Sequence, residues 1–179
     1  METRVENMVS AITLYTKIDL AVFSKKVTGI EYNPKNFPGV VYRVKDPQMA
    51  MLIFSSGKVI CTGARSNKDI KIAVVHLLKK LKEGGVTVKA KPTVAIQNIV
   101  ASSSMGFKVN LDVLAVESEN TEYEPEQFPG LVYRLAEPKT VMLIFRSGNM
   151  IITGAKTFKQ VKEAAEKTMA IVKSFDAII

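Results

Sequence analysis

Shifted by 91 positions, the sequence aligns with itself without a gap. The stretch FPGVVYRVKDPQMAMLIFSSGKVICTGA at 37–64 lies over FPGLVYRLAEPKTVMLIFRSGNMIITGA at 128–155, with 17 of 28 positions identical. The match runs backwards, with ENMV (6–9) over QNIV (97–100) and EYNP (31–34) over EYEP (122–125). It also runs forwards: Ile70, Ala73, Val74, Leu77, Leu78 and Leu81 fall on Val161, Ala164, Ala165, Thr168, Met169 and Val172. The chain is one pattern written twice, at residues 1–91 and 92–179. Two copies are too few for a solenoid, so an intramolecular pseudo-dimer is expected. A pseudo-twofold protein suits a pseudo-twofold ligand, and duplex DNA is the commonest one.

Periodicity supplies the elements. In the first copy, residues 5–13 alternate as a strand and 18–25 suit a short helix. Strands at 40–45, 49–54 and 58–63 are separated by turns at Asp46-Pro47 and at 55–57. Ser66 or Asn67 caps a helix over 68–82 whose apolar positions form one stripe. The second copy repeats this and ends in a helix over 158–173. These spans account for eight strands, and the expected fold is α+β and antiparallel, with roughly ten strands and four helices.

Successive strand residues point to opposite sides of a sheet. Both faces of MAMLIF (49–54) and VMLIF (141–145) are apolar. Four helices cover only one face of so wide a sheet. The other, carrying Leu52, Phe54, Ile60, Leu143, Phe145 and Ile151, is expected to lack cover, which marks either a binding surface or the seam of a homodimer. A hairpin centred on 46–47 sets Phe54 opposite residue 39 and therefore near Phe37. Phe128 and Phe145 share the same 17-residue spacing. Each copy thus carries an aromatic pair beside a Phe-Pro-Gly turn, placed to wedge open a flexible partner or to cap the core.

The formal net charge is +8, and it is unevenly spread. Residues 1–91 hold 16 Lys/Arg against 7 Asp/Glu, and residues 92–179 hold 9 against 10. A basic balance suits a polyanionic partner. No run approaches the ~18–20 apolar residues of a membrane span, and METRVENMVS has no signal-peptide core. With a single cysteine, Cys61, read as a small buried hydrophobe, these features place the chain in a reducing, intracellular compartment. Phosphate-cradling loops, metal-ligand spacings and nucleophile–base signatures are absent, and His76 lies beside a helical apolar stripe, so neither an enzyme nor a cofactor or metal is expected. The acids Glu117, Glu119, Glu122, Glu124 and Glu126 lack calcium-loop spacing. The lysines of 68–82 read as a solvated face or a second partner's surface.

The duplicated FPG.VYR…P…MLIF.SG…TGA, with the QN/EN-[IM]-V strand that opens each copy, resembles the TATA-box-binding protein family over nearly all 179 residues. The resemblance implies a saddle: a curved ten-stranded antiparallel sheet with four helices on its convex side. It implies a minor-groove binder that kinks A/T-rich promoter DNA and recruits transcription factor B and RNA polymerase. Phe37 and Phe54 would wedge one end of the site and Phe128 and Phe145 the other, with Pro38 and Pro129 stiffening the loops that present them. Asn7, Asn98, Thr62 and Thr153 would reach groove acceptors. Val9, Val100, Leu52, Leu143, Ile60 and Ile151 would press on base edges and sugars. Arg43, Arg134, Ser56, Ser147 and Lys58 would hold phosphates, although the mate of Lys58 is Asn149. Glu124 and Glu126 fall where the second loop would dock transcription factor B. Lacking the long low-complexity N-terminal region of many members, the chain looks like the compact archaeal form, at the nucleoid; a nuclear member would share the motifs. The rival readings are a protein–protein scaffold and the related domain of DNA repair enzymes.

Overall fold

A computed structural model describes residues Met1–Ile179. The chain runs β1 (Thr3–Thr13), α1 (Leu20–Lys26), β2 (Ile30–Tyr32), β3 (Val40–Lys45), β4 (Gln48–Ile53), β5 (Lys58–Ala64) and α2 (Asn67–Glu83). It then repeats itself as β6 (Thr93–Ser104), α3 (Leu111–Glu117), β7 (Thr121–Glu122), β8 (Leu131–Leu135), β9 (Thr140–Ile144), β10 (Asn149–Ala155) and α4 (Phe158–Ser174). The ten strands form one sheet in the order β2-β3-β4-β5-β1-β6-β10-β9-β8-β7. The fold class expected from periodicity and resemblance is the one found. No helix is long and apolar enough to cross a membrane.

The chain divides into two compact units: Asn7–Gln97, hereafter the first, and Asn98–Ile179 joined by Met1–Glu6, the second. The opening residues thus pack with the later part of the chain. Within the second unit, the Ser103 hydroxyl donates to the Glu2 carbonyl at 2.9 Å, and the Ser102 hydroxyl donates to the Glu6 carboxylate at 2.8 Å.

Local chemistry sets the element ends. Ser66, not Asn67, caps α2: its backbone is extended and its hydroxyl accepts from the Asp69 N–H at 3.1 Å. Thr157 caps α4 in the same way through Gln160. The strand expected over 49–54 stops at Ile53. Phe54 instead opens a tight turn, in which its N–H donates to the Lys58 carbonyl and its own carbonyl accepts from Gly57. The two very short strands, Ile30–Tyr32 and Thr121–Glu122, carry too few residues to show a period in the sequence.

In the first unit Met51, Ile53, Val59 and Cys61 are fully buried, as are Ala73, Leu77 and Leu81 of α2. Val74 and Leu78, at the edge of the expected stripe, are only half-buried. In the second unit Met142, Ile144 and Ile152 are fully buried, with Ala164 and Val172 of α4. Fully burying one such aliphatic side chain is worth ~1.5–3 kcal/mol. Thr168 stands where the first unit has Leu77, and it satisfies its buried hydroxyl by donating to the Ala164 carbonyl at 2.7 Å.

Ser10 is less well accommodated. It lies opposite Cys61 in the β1–β5 register, fully buried, with an Oγ that has no hydrogen-bond partner. Burial pushes the Cys61 thiol pKa up, and the nearby Ser10 hydroxyl offsets part of that rise without reaching hydrogen-bond geometry. The second unit places Ala101 opposite Ile152 at the same point, with no polar atom to satisfy.

Each unit also carries a β-bulge. Between Met8 and Ser10 of β1 stands one residue, while β5 places two, Thr62 and Gly63, between Ala64 and Cys61. The same offset occurs in β10 at Thr153 and Gly154. Gly63 and Gly154 have φ of +101° and +97°, a backbone that glycine adopts at little cost. A Cβ on Gly63 would also lie 2.7 Å from the Gln48 carbonyl oxygen.

Two stability changes follow. Ser10→Ala, which gives the first unit the residue of the second, is expected to raise stability by about 1 kcal/mol, because an unpaired buried hydroxyl is removed. Gly63→Ala is expected to lower it by about 1–3 kcal/mol through backbone strain. Chemical denaturation with unchanged m-values measures both.

Candidate nucleic-acid interface

In each unit the helices bury one face of the strands and leave the other open. In the first unit the register sets Val41 opposite Leu52, Leu52 opposite Ile60, and Ile60 opposite Ala11. Leu52, Ile60 and Val9 are half-buried, screened only by their neighbours in the sheet, while Met51 and Ile53 between them are sealed. In the second unit Val100, Leu143 and Ile151 are half-buried in the same manner beside sealed Met142 and Ile144.

Polar atoms on these faces are few and fixed. The Gly63 N–H, turned outward by the bulge, donates to Asn7 Oδ1 at 2.7 Å. Asn7 Nδ2 donates to Thr62 Oγ1 at 3.1 Å. The bulge therefore sets which way the amide points. Its carbonyl accepts from the Gly63 N–H and, at 3.4 Å, from the Thr62 hydroxyl, so one amide N–H is left for a ligand. Asn98 repeats two of these contacts, accepting from Gly154 N–H at 2.7 Å and donating to Thr153 Oγ1 at 3.2 Å. Each unit thus holds an oriented Asn amide donor, paired with a Thr hydroxyl, in an apolar setting.

The aromatic pairs form as the spacing implied. Phe37 and Phe54 have ring centroids 5.7 Å apart, and Phe128 and Phe145 5.9 Å apart in an edge-on arrangement. Phe37 and Phe128 are 37% and 42% exposed, against the tendency of large aromatics to be buried. Pro38 and Pro129 are exposed on the loops between each ring and its glycine. Both rings of each pair fold over that glycine. A Cβ on Gly39 would lie 2.9 Å from the Phe37 ring and 3.1 Å from that of Phe54. On Gly130 the distances to the Phe128 and Phe145 rings would be 2.6 and 3.0 Å. The glycine of Phe-Pro-Gly is the floor on which the aromatic pair rests, a role that turn propensity alone does not reveal.

Cations and hydroxyls rim the faces. Arg43 and Arg134 are exposed and pair at 3.8 and 3.7 Å with Glu31 and Glu122, at the edge of each unit. Such exposed pairs are weak and leave the guanidinium free to exchange partners. Lys58 Nζ donates to Thr13 Oγ1 at 2.7 Å, whereas Asn149 takes its place in the second unit. Ser56 and Ser147 are exposed in the turns after Phe54 and Phe145, where their hydroxyls accept from Lys58 and Asn149 N–H at 3.4 and 3.3 Å. Glu124 and Glu126 are exposed in the turn leading to Phe128; Asn33 and Lys35 hold the matching places before Phe37. No three His, Cys, Asp or Glu side chains converge anywhere. His76 is half-buried on α2.

Sequence reasoning singled out the Phe, Asn, Thr and aliphatic positions but missed what holds them: Gly39 and Gly130, the N–H groups of Gly63 and Gly154, and the carboxylates of Glu31 and Glu122. The duplication itself was the available signal, since all six lie at the 91-residue spacing.

Known proteins share this arrangement. Residues 2–84 and 93–175 each match the family described as "Transcription factor TFIID (or TATA-binding protein, TBP)". The TATA-box-binding protein of Aeropyrum pernix is 46% identical over 99% of this chain and 88% of its own length. That of Archaeoglobus fulgidus is 48% identical over 92% of this chain and 91% of its own. The solved structure of Methanococcus jannaschii TBP superposes with a TM-score of 0.91 at 45% identity, covering 97% of this chain and 99% of that one. With both repeats matched and near full-length relatives at this identity, the chain belongs to the TATA-binding protein family of transcription factors.

Proposed function

We propose that this chain is an intracellular general transcription initiation factor that binds A/T-rich promoter DNA in the minor groove and kinks it with its phenylalanine pairs. The observation that carries this is the pairing, in each unit, of an open apolar face with an oriented Asn–Thr pair. In the minor groove A·T pairs present only acceptors, whereas G·C adds a donor. An Asn amide N–H facing the groove suits the acceptors of the first and opposes the guanine amino donor of the second.

In this reading the repeats at 1–91 and 92–179 each serve half of the site. Phe37 with Phe54, and Phe128 with Phe145, enter base steps at its two ends, and Pro38 and Pro129 stiffen their loops. Unstacking costs a few kcal/mol per step and is repaid by contact with the bent duplex, a mode for which this family is the standard example. Flexible TA steps lower the cost, so part of the specificity is indirect. Asn7, Thr62, Asn98 and Thr153 reach the groove floor. Val9, Leu52, Ile60, Val100, Leu143 and Ile151 line its walls. Arg43, Arg134, Ser56, Ser147 and Lys58 take phosphates, the arginines by exchanging Glu31 and Glu122 for the backbone. Free of DNA, the same faces would be available to a second copy. Polymerase recruitment would run through transcription factor B, docked on the acidic turn carrying Glu124 and Glu126. The first unit, with Asn33 and Lys35 there, would not compete for a basic partner.

Binding and bending are read together by gel shift and by energy transfer between the ends of a labelled duplex. A TATA duplex is expected to bind and bend, with affinity falling as salt rises, and a duplex with its A·T pairs replaced by G·C to bind poorly. Equal binding to both, or to neither, overturns the reading. Phe37→Ala with Phe54→Ala is expected to reduce the bend and weaken binding by roughly tenfold or more. Glu124→Lys with Glu126→Lys is expected to weaken the complex with transcription factor B and DNA while sparing DNA binding; an equal loss of both overturns the docking role.

A further inference from the structure

In both units a glycine N–H fixes the Asn carbonyl and the Asn amide donates to a Thr hydroxyl, but the surroundings of the two pairs differ. In the first unit the register sets Arg43, Ala50 and Thr62 in one row across β3, β4 and β5, with Asn7 at its end. In the second unit the row reads Arg134, Val141 and Thr153, with Asn98 at its end. The residue between arginine and threonine therefore loses two methyl groups in the first unit. The consequence is visible in the surface. A cavity of about 620 Å³ opens there, reaching Ala50, Thr62 and Gly63. Its counterpart in the second unit is about 370 Å³ and lies against Arg134, Lys139 and Val141 without reaching Thr153 or Gly154. The first cavity is lined by Gln48, a residue able to accept as well as donate, where the second is lined by Lys139, whose ammonium only donates. One lysine lies by each hairpin turn, Lys45 in the first unit and Lys139 in the second, so charge does not separate them.

In the minor groove the one group that distinguishes G·C from A·T is the guanine 2-amino group, which projects from the groove floor. A valine beside the donors leaves it no room. The hollow at Ala50 leaves room, and among its lining residues Gln48 has the chemistry to accept from an amino group. We propose that the first unit tolerates a G·C pair in its half of the site, that the second demands A·T, and that Ala50 against Val141 sets the difference. The inference rests on the minor-groove reading above. Because both units carry the same aromatic pair and the same Asn–Thr pair, the protein can seat end for end on a duplex. A G·C pair in either half alone is then accepted by turning the protein round, while mirrored G·C pairs in both halves are not.

The test is fluorescence anisotropy on a TATA duplex, on duplexes in which one G·C pair is stepped through each position of one half, and on duplexes with mirrored pairs in both halves. Inosine·C versions of all of them lack the amino group and serve as the reference. The wild-type chain is expected to bind at least one single-G·C duplex within about threefold of its inosine twin and to lose roughly tenfold or more on the mirrored pair. Ala50→Val should lose roughly tenfold on that single-G·C duplex relative to the inosine twin, and Val141→Ala should recover the mirrored one. The G·C-to-inosine ratio is the readout, so a general loss of binding cancels. Valine already occupies the matching place in the second unit, which makes it compatible with this strand. If Ala50→Val leaves that ratio unchanged at every position, or the wild-type chain rejects every single G·C pair as strongly as the mirrored pair, the inference fails while the minor-groove reading stands. A wild-type chain that ignores the all-A·T duplex overturns both.

Discussion

Everything in this molecule depends on strands that are apolar on both sides. A pleated strand sends alternate residues to opposite faces, and Met51 and Ile53 go under helices while Leu52 between them does not. Burial of the first set holds each unit together. Exposure of the second would be a liability in a protein with nothing to place against it. The same alternation that builds the core thus creates the surface, and the two cannot be altered independently without shifting register, which would exchange their side chains.

On that surface, precision comes from backbone rather than from side-chain packing. An asparagine amide in an apolar setting can flip, presenting either an acceptor or a donor. The bulged glycines remove the choice by spending their N–H groups on Asn7 and Asn98 carbonyls. The Phe-Pro-Gly turns work by a similar economy of atoms. Leaving a Cβ out at Gly39 and Gly130 lets two rings rest against the main chain and stand partly in solvent. In both devices an absent side chain positions a present one.

Duplication gives the two units the same devices, and later divergence makes them unequal. Lys58 faces no cation at Asn149, Lys35 is matched by Glu126, and Ala50 by Val141. A ligand with two nearly equivalent halves would meet a protein whose halves share their aromatic pairs and Asn–Thr pairs but differ in charge and room. Such inequality is a physical basis for telling one end of a duplex from the other.

The sequence by itself determined the repeat, the α+β class, the order of the helices and of every strand but β2 and β7 to within a few residues, and the membership of Phe37, Phe54, Phe128 and Phe145 in two pairs. These are legible because periodicity and hairpin register are local rules, and because a second copy at 91 residues checks each assignment. It did not show where β4 ends, since Phe54 reads as one more strand residue until the turn's hydrogen bonds are seen. Nor did it show that Met1–Glu6 pack with Asn98–Ile179, that Ser10 faces Cys61 without a partner, or that Gly63 orients Asn7. Each of these joins residues roughly 50 to 100 positions apart in the chain. Such contacts are decided by which strands become neighbours and by where a bulge shifts their register, and only the folded sheet fixes both.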